Sequence, residues 1–145
     1  MNDFATEAAC TRDSLDTQSR IYTEYARGNR AAVLEALAED VAWHSVDCAA
    51  IPWGGSYRGR EGVETFFARL DSGAEIIGYE VERVIAQGEW VTVLARVRAR
   101  FPATGAEAEF ASADILRIRD GRILEFREFY DTAAVLAALQ GPRAG

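Results

Sequence analysis

Two periodicities divide the chain near residue 73: helical spacing of apolar residues before it, strand-like alternation after it. Between Thr11 and Arg27, Leu15, Ile21, Tyr22 and Tyr25 follow a loose helical spacing that stops at Gly28, which predicts a helix with a glycine C-cap. The next stretch, "NRAAVLEALAEDV", sets Asn29 as an N-cap and puts Val33, Leu34 and Leu37 on one face, a second short helix. "VAWHSV" alternates as a strand does, and "AAIPWGGSYRG" breaks it with proline and paired glycines. A third helix, "REGVETFFARL", turns Val63, Phe66, Phe67 and Leu70 inward.

Beyond Ser72-Gly73 come four period-two segments: "AEIIGYEVERVIAQ", "WVTVLARVRARF", "AEAEFASADILRIR" and "RILEFREFYD". Turns at Gly88-Glu89, "PATG" and Asp120-Gly121 separate them, as in an antiparallel meander. A last short helix, "TAAVLAAL", follows Asp131, which reads as its N-cap; Asp40 and Gly121 read as turn residues. Helices first and a meander afterwards predict an α+β fold, a cone-shaped curved antiparallel sheet wrapped around the N-terminal helices with a pocket between them. One domain over residues 1–145 is expected, with about 1–12 as a loosely ordered N-terminal extension.

Two acids interrupt the apolar alternation of the last strands. Asp114 keeps step with Leu116 and Ile118, and Glu128 with Phe126 and Tyr130, so both carboxyls are expected on the concave face. A carboxyl desolvated among aromatics has a raised pKa and can serve as a base or a neutral acid near pH 7. The competing structural reading pairs each acid with an arginine, such as Arg96, Arg98, Arg117 or Arg127, on a solvated face.

His44 is the chain's one histidine and a catalytic candidate for its near-neutral pKa. The parity that points Trp43 and Ser45 inward points His44 out, towards the surface or an interface, unless a bulge follows Trp43. Trp43, Ser45, Tyr22, Trp53, Tyr57, Phe126 and Tyr130 are the candidate substrate-binding residues, and "PWGGSY" reads as a flexible rim able to close over an apolar ligand.

Composition narrows the chemistry. With 16 basic and 23 acidic residues among 145, net −7, no basic stripe is available for nucleic acid or an anionic membrane. All the basic residues are arginine, which removes Schiff-base chemistry and a phosphate-loop lysine. Cys10 and Cys48 suit neither a metal knuckle nor a disulfide framework, no cluster has metal-ligand spacing, and no cofactor motif is present. The acidic "MNDFATEAACTRDSLD" lacks the marks of a secretion signal, and no long apolar run is present, so a cytoplasmic protein without a membrane span is expected.

The order of elements, with "PWGGSYRGREGVETFF" and "DILRIRDGRILEFREFYDTAAVLAAL", resembles the nuclear transport factor two-like superfamily, in particular its SnoaL-like and ketosteroid-isomerase-related members. The resemblance implies an isomerase, an aldol-type polyketide cyclase or a dehydratase; non-catalytic binders and epoxide hydrolases share the fold. It places Asp114 on the acid/base aspartate of the cyclases, which is the oxyanion-binding aspartate of the isomerases. Glu128 falls on a catalytic aspartate of limonene epoxide hydrolases, whose partner arginine and aspartate match Ala95 and Val97 here. The isomerases' general base falls near Ser45 and their tyrosine near Ile21, so His44, Tyr22 or Asp47 would have to substitute. A homodimer through the open sheet face, where "WVTVLARVRARF" mixes arginines with apolar residues, is also expected. Three readings stand: acid/base proton transfer on an apolar carbonyl compound, a binding protein for a hydrophobic metabolite, and water addition to an epoxide.

Overall fold

A computed structural model describes residues 3–141. Helices α1 (Asp3–Ala26) and α2 (Arg30–Glu35) lead into strand β1 (Leu37–His44); a short strand β2 (Ser56–Arg58) precedes helix α3 (Gly59–Gly73). Strands β3 (Glu75–Gln87), β4 (Trp90–Phe101), β5 (Ala106–Arg119) and β6 (Arg122–Tyr130) and helix α4 (Thr132–Gln140) complete the chain. The strands form one curved, unclosed sheet in the order β2-β1-β6-β5-β4-β3. All neighbours are antiparallel except β1 and β6.

The α+β architecture agrees with the sequence pattern; three local expectations do not. Helix α1 starts at Asp3, so residues 3–10 are helical rather than a loose extension, and residues 1–2 lie outside the described part. Its buried face holds Ser14, Thr17 and Gln18 beside Ile21, which is why its apolar spacing looked weak. The helix docks on the β3–β4 turn by hydrogen bonds: Ser14 Oγ donates to the Gly88 carbonyl at 2.8 Å, and Gly88 N–H donates to Thr11 Oγ1 at 2.7 Å.

Second, the helix after Asn29 lasts one and a half turns. Asn29 caps it by accepting from Ala32 N, but Leu37 and Asp40 belong to β1. The pull comes from β6: Ile123 N–H donates to the Ala36 carbonyl at 2.8 Å and Leu37 pairs with Ile123. A parallel partner so far along the chain leaves no local trace, so the apolar run reads as helix.

Third, the "PWGG" loop is a plug and not a flexible rim. Ile51 and Trp53 are buried, and Trp53 Nε1 donates to Tyr130 Oη at 3.0 Å. A Cβ on Gly54 would stand 2.8 Å from the Val46 carbonyl oxygen and 3.0 Å from that of Cys48, both backbone atoms that cannot swing away. Gly54→Ala is therefore expected to destabilise by about 1–3 kcal/mol, lowering Tm by roughly 3–12 °C in calorimetry. An unchanged Tm would show that this loop yields easily.

Elsewhere the sequence pattern and the structure agree. Val63, Phe66, Phe67 and Leu70 of α3 are buried, and Asp131 accepts from Ala134 N at 3.0 Å to cap α4.

Two irregularities in the sheet decide which side chains face inward. Asp120 and Gly121 take positive φ values of 52° and 75°, the geometry of a tight two-residue hairpin turn between β5 and β6. That turn pairs Arg119 with Arg122 and Ile118 with Ile123; one residue is then looped out of β6, so that Arg117 pairs with Glu125 and Asp114 with Glu128. The inward positions of β6 change parity there, from Ile123 to Phe126. In β3 a similar slip between Ile76 and Gly78 sets Ile76 beside Ala99 and Tyr79 beside Val97.

Candidate active site

The inner face of the sheet is organised in rows across its strands. One row holds Trp43, Phe126 and Leu116; the next holds Ser45, Glu128 and Asp114; the third holds Tyr130 and Ser112. Helices α1 and α3 cover these rows and leave a cavity of about 130 Å³, lined mostly by aromatic and aliphatic side chains. A wider outer groove of about 1070 Å³ between α1 and β3 shares Tyr22, Tyr25, Leu70, Ala74, Ile76 and Tyr79 with it. These six form the throat.

Asp114 is 6% exposed, and its Oδ2 accepts two phenolic hydroxyls, from Tyr22 at 2.7 Å and Tyr79 at 2.8 Å. Oδ1 makes no hydrogen bond among the described residues. Burial pushes the Asp114 pKa up to about 6, against the pull of the two tyrosine hydrogen bonds, which favour the carboxylate. Glu128, its cross-strand neighbour, receives the Ser45 hydroxyl on Oε1 at 2.5 Å. Burial first and the charge of Asp114 second push Glu128 up to about 8, opposed by the Ser45 hydrogen bond. Both carboxyls are thus held above the usual carboxylate range, chiefly by burial. Burial, followed by the nearby carboxylates, raises the pKa of Tyr22, Tyr79 and Tyr130 above the usual phenol value, so all three remain hydrogen-bond donors.

No described arginine bonds either carboxyl. Arg96 pairs with Glu109, Arg117 and Arg119 with Glu89, and Arg127 with Glu125.

Of the residues singled out from the sequence, Asp114, Glu128, Tyr22, Trp43, Trp53, Phe126 and Tyr130 line the cavity. Ser45 is buried and reaches it through Glu128. Tyr57 does not: its hydroxyl donates to the Trp53 carbonyl at 3.0 Å, outside the lining. His44 is likewise set aside as a catalytic residue. It faces away, with Nδ1 at 2.9 Å from Ser56 Oγ and Nε2 at 3.5 Å from Asp47, because the register runs unbroken from Trp43–Phe126 to His44–Arg127. Asp47 is exposed, so among the possible substitutes only Tyr22 reaches the site.

Sequence reading missed Tyr79, Tyr25 and Ser112 in the lining. Gly78 was the available signal for Tyr79, since a glycine inside a strand pattern marks a bulge that re-aims its neighbours. Among the described residues no group of three or more His, Cys, Asp or Glu is placed to hold a metal ion, and no helix is long and apolar enough to cross a membrane.

Residues 19–126 match the family model of the SnoaL-like domain. The chain belongs to that family. No curated protein matches it. Among solved structures, an NTF2-like protein from Burkholderia xenovorans is 25% identical, with 89% of this chain and 97% of that one covered and a TM-score of 0.78. TerC, co-crystallised with polyporic acid, is 19% identical over 88% of this SnoaL-like domain protein and 98% of TerC, TM-score 0.77. A ketosteroid isomerase-like fold from Catenulispora acidiphila, in complex with trimethylamine, is 23% identical over 84% of this chain and 93% of that one, TM-score 0.69. At these identities the last two speak for the fold alone.

Proposed function

We propose that this SnoaL-like domain is a cofactor-independent enzyme that moves a proton on a small, apolar carbonyl compound, as an isomerase, an aldol-type cyclase or a dehydratase does. The observation that carries the reading is the pairing of Asp114 with Glu128 across β5 and β6 inside an apolar cavity, where burial raises the pKa of both carboxyls.

In this reading Asp114 takes a proton from the carbon beside the carbonyl through Oδ1, while Tyr22 and Tyr79 steady the other oxygen. The C–H electron pair moves onto the carbonyl oxygen, which accepts the Glu128 proton. Asp114 then returns its proton to another carbon and the enol gives its proton back to Glu128, so both carboxyls end as they began. Polyporic acid and trimethylamine in structures of the same fold support a small organic ligand.

The direct test follows the exchange of acetophenone α-protons for deuterium in D2O by NMR. Wild-type protein is expected to accelerate it well above buffer; no acceleration for acetophenone and other enolisable ketones would end the reading. The almost wholly apolar lining supports a second reading, a binding protein for a hydrophobic metabolite, which predicts ligand capture with no exchange. Water addition to an epoxide has less support, since Ala95 and Val97 supply neither of the hydrolase partners.

A homodimer is proposed through the outer sheet face. Ile85, Trp90, Leu94 and Phe129 are exposed there, with Leu94, Ala113 and Phe129 in one row. The arginines of β4 lie towards its other end, where Arg96, Arg98 and Arg100 stand opposite Glu80, Glu109 and Glu107. Light scattering is expected to give twice the chain mass for the wild type and the single mass for Leu94→Asp. A monomeric wild type would rule the dimer out.

A further inference from the structure

We infer that the indole N–H of Trp43 is the anchor for an oxygen atom of the ligand, one row from the carboxyl pair on the side away from Tyr130 and Ser112. The inference deepens the proposed function, since it takes the cavity as the ligand site, and it names what a ligand must carry: a hydrogen-bond acceptor.

The three tryptophans differ in how their N–H groups are satisfied. Trp90 is exposed to water, and Trp53 donates to Tyr130 Oη at 3.0 Å. Trp43 is 5% exposed and lines the cavity, yet its Nε1 is buried without a hydrogen-bond partner. A buried indole N–H has lost its bond to water, and proteins rarely leave such a donor idle. Nor is the ring free to turn towards a partner. It stacks on Phe126 at 3.9 Å between centroids and is flanked by Phe66 and Phe67 at 5.4 and 5.8 Å. The hydroxyls and carboxyls of the neighbouring row bond one another, Ser45 to Glu128 Oε1 and the two tyrosines to Asp114 Oδ2, and none of them bonds the indole N–H.

An indole N–H only donates, which excludes an ammonium or a second donor as its partner. A carbonyl, phenolate or enolate oxygen fits. Such an oxygen would sit beside the carboxyl row, so Trp43 would hold the ligand in register with Asp114 and Glu128. Trp43 is then a positioning and selecting residue, while the protons move on the carboxyls.

The test uses acetophenone and ethylbenzene, which differ by the carbonyl oxygen, with protein labelled with 15N in its indole groups. The Trp43 signal is assigned from its absence in Trp43→Phe. Acetophenone is expected to move that signal downfield, and ethylbenzene is not. In Trp43→Phe the ratio of the two dissociation constants is expected to shift about tenfold against acetophenone. A Trp43 signal lying upfield and unmoved by acetophenone would mean that a phenylalanine ring face already caps the N–H, and would overturn the inference. An unchanged ratio in the variant would overturn it too, as would failure of both probes to perturb any cavity signal. The proposed catalysis fails separately: bound acetophenone that shifts Trp43 but exchanges no deuterium leaves the anchor standing and removes the enzyme.

Discussion

The Asp114→Asn variant is expected to fold and bind acetophenone while losing about 10²–10⁴-fold of its α-proton exchange rate, the usual worth of a positioned base. The fold should survive because an amide oxygen can accept the Tyr22 and Tyr79 hydroxyls that the carboxylate now accepts. Removing the charge has a second readout. Asp114 is one of the causes of the raised Glu128 value, so the Glu128 carboxyl should titrate lower in the variant when followed by carbon NMR.

In the wild type, activity is expected to rise with pH as the pair loses its first proton near about 6, on Asp114, and to fall as it loses the second near about 8, on Glu128. The apparent values belong to the pair. A rate that climbs through both values without a maximum would remove Glu128 as the acid, and a rate indifferent to Asp114→Asn would remove Asp114 as the base.

The second large effect is on stability, measured through Glu128→Gln. Both carboxyls have folded pKa values above the roughly 4 of an unfolded chain, so the folded state holds their protons more tightly. Their contribution is therefore fully present below about pH 4 and is lost as pH rises, first through the value of Asp114 and then through that of Glu128. Wild-type Tm should fall between pH 5 and pH 9. The glutamine variant cannot ionise at that position, so it should lose less over the range and melt above wild type at pH 9. The gap is on the order of a few kcal/mol, given about 1.4 kcal/mol per pKa unit. A gap between the two proteins that does not change with pH would show that Glu128 titrates like a solvated carboxyl.

What could be read from the chain was whatever its own neighbourhood dictates. Helix α3 announces itself because Val63, Phe66, Phe67 and Leu70 recur at helical spacing, and the four long strands because their apolar residues alternate between turns. Parity alone turned Asp114 inward and His44 outward.

Features held by distant partners were not legible. The buried face of α1 carries the polar Ser14, Thr17 and Gln18, and Ser14 bonds the β3–β4 turn at Gly88. Leu37 read as helix because its partner Ile123 lies far along the chain. Tyr79 reaches Asp114 through an irregularity between Ile76 and Gly78 that simple alternation skips, and Trp53 is pinned to Tyr130, so a glycine-rich loop that looked mobile is a plug.

The extra residue looped out of β6 bears on how this pocket could change. If that residue entered the ladder instead, the pairing set at the Asp120-Gly121 turn would continue down the hairpin and bring Arg127 opposite Asp114. The cavity would then hold an ion pair in place of two facing acids. A one-residue slip that takes the looped-out residue back into the ladder would thus replace the facing acids with a fixed charge pair, with the hairpin turn and the outline of the fold untouched. On such a sheet, new chemistry needs no new side chains, only a slip of the frame that presents them.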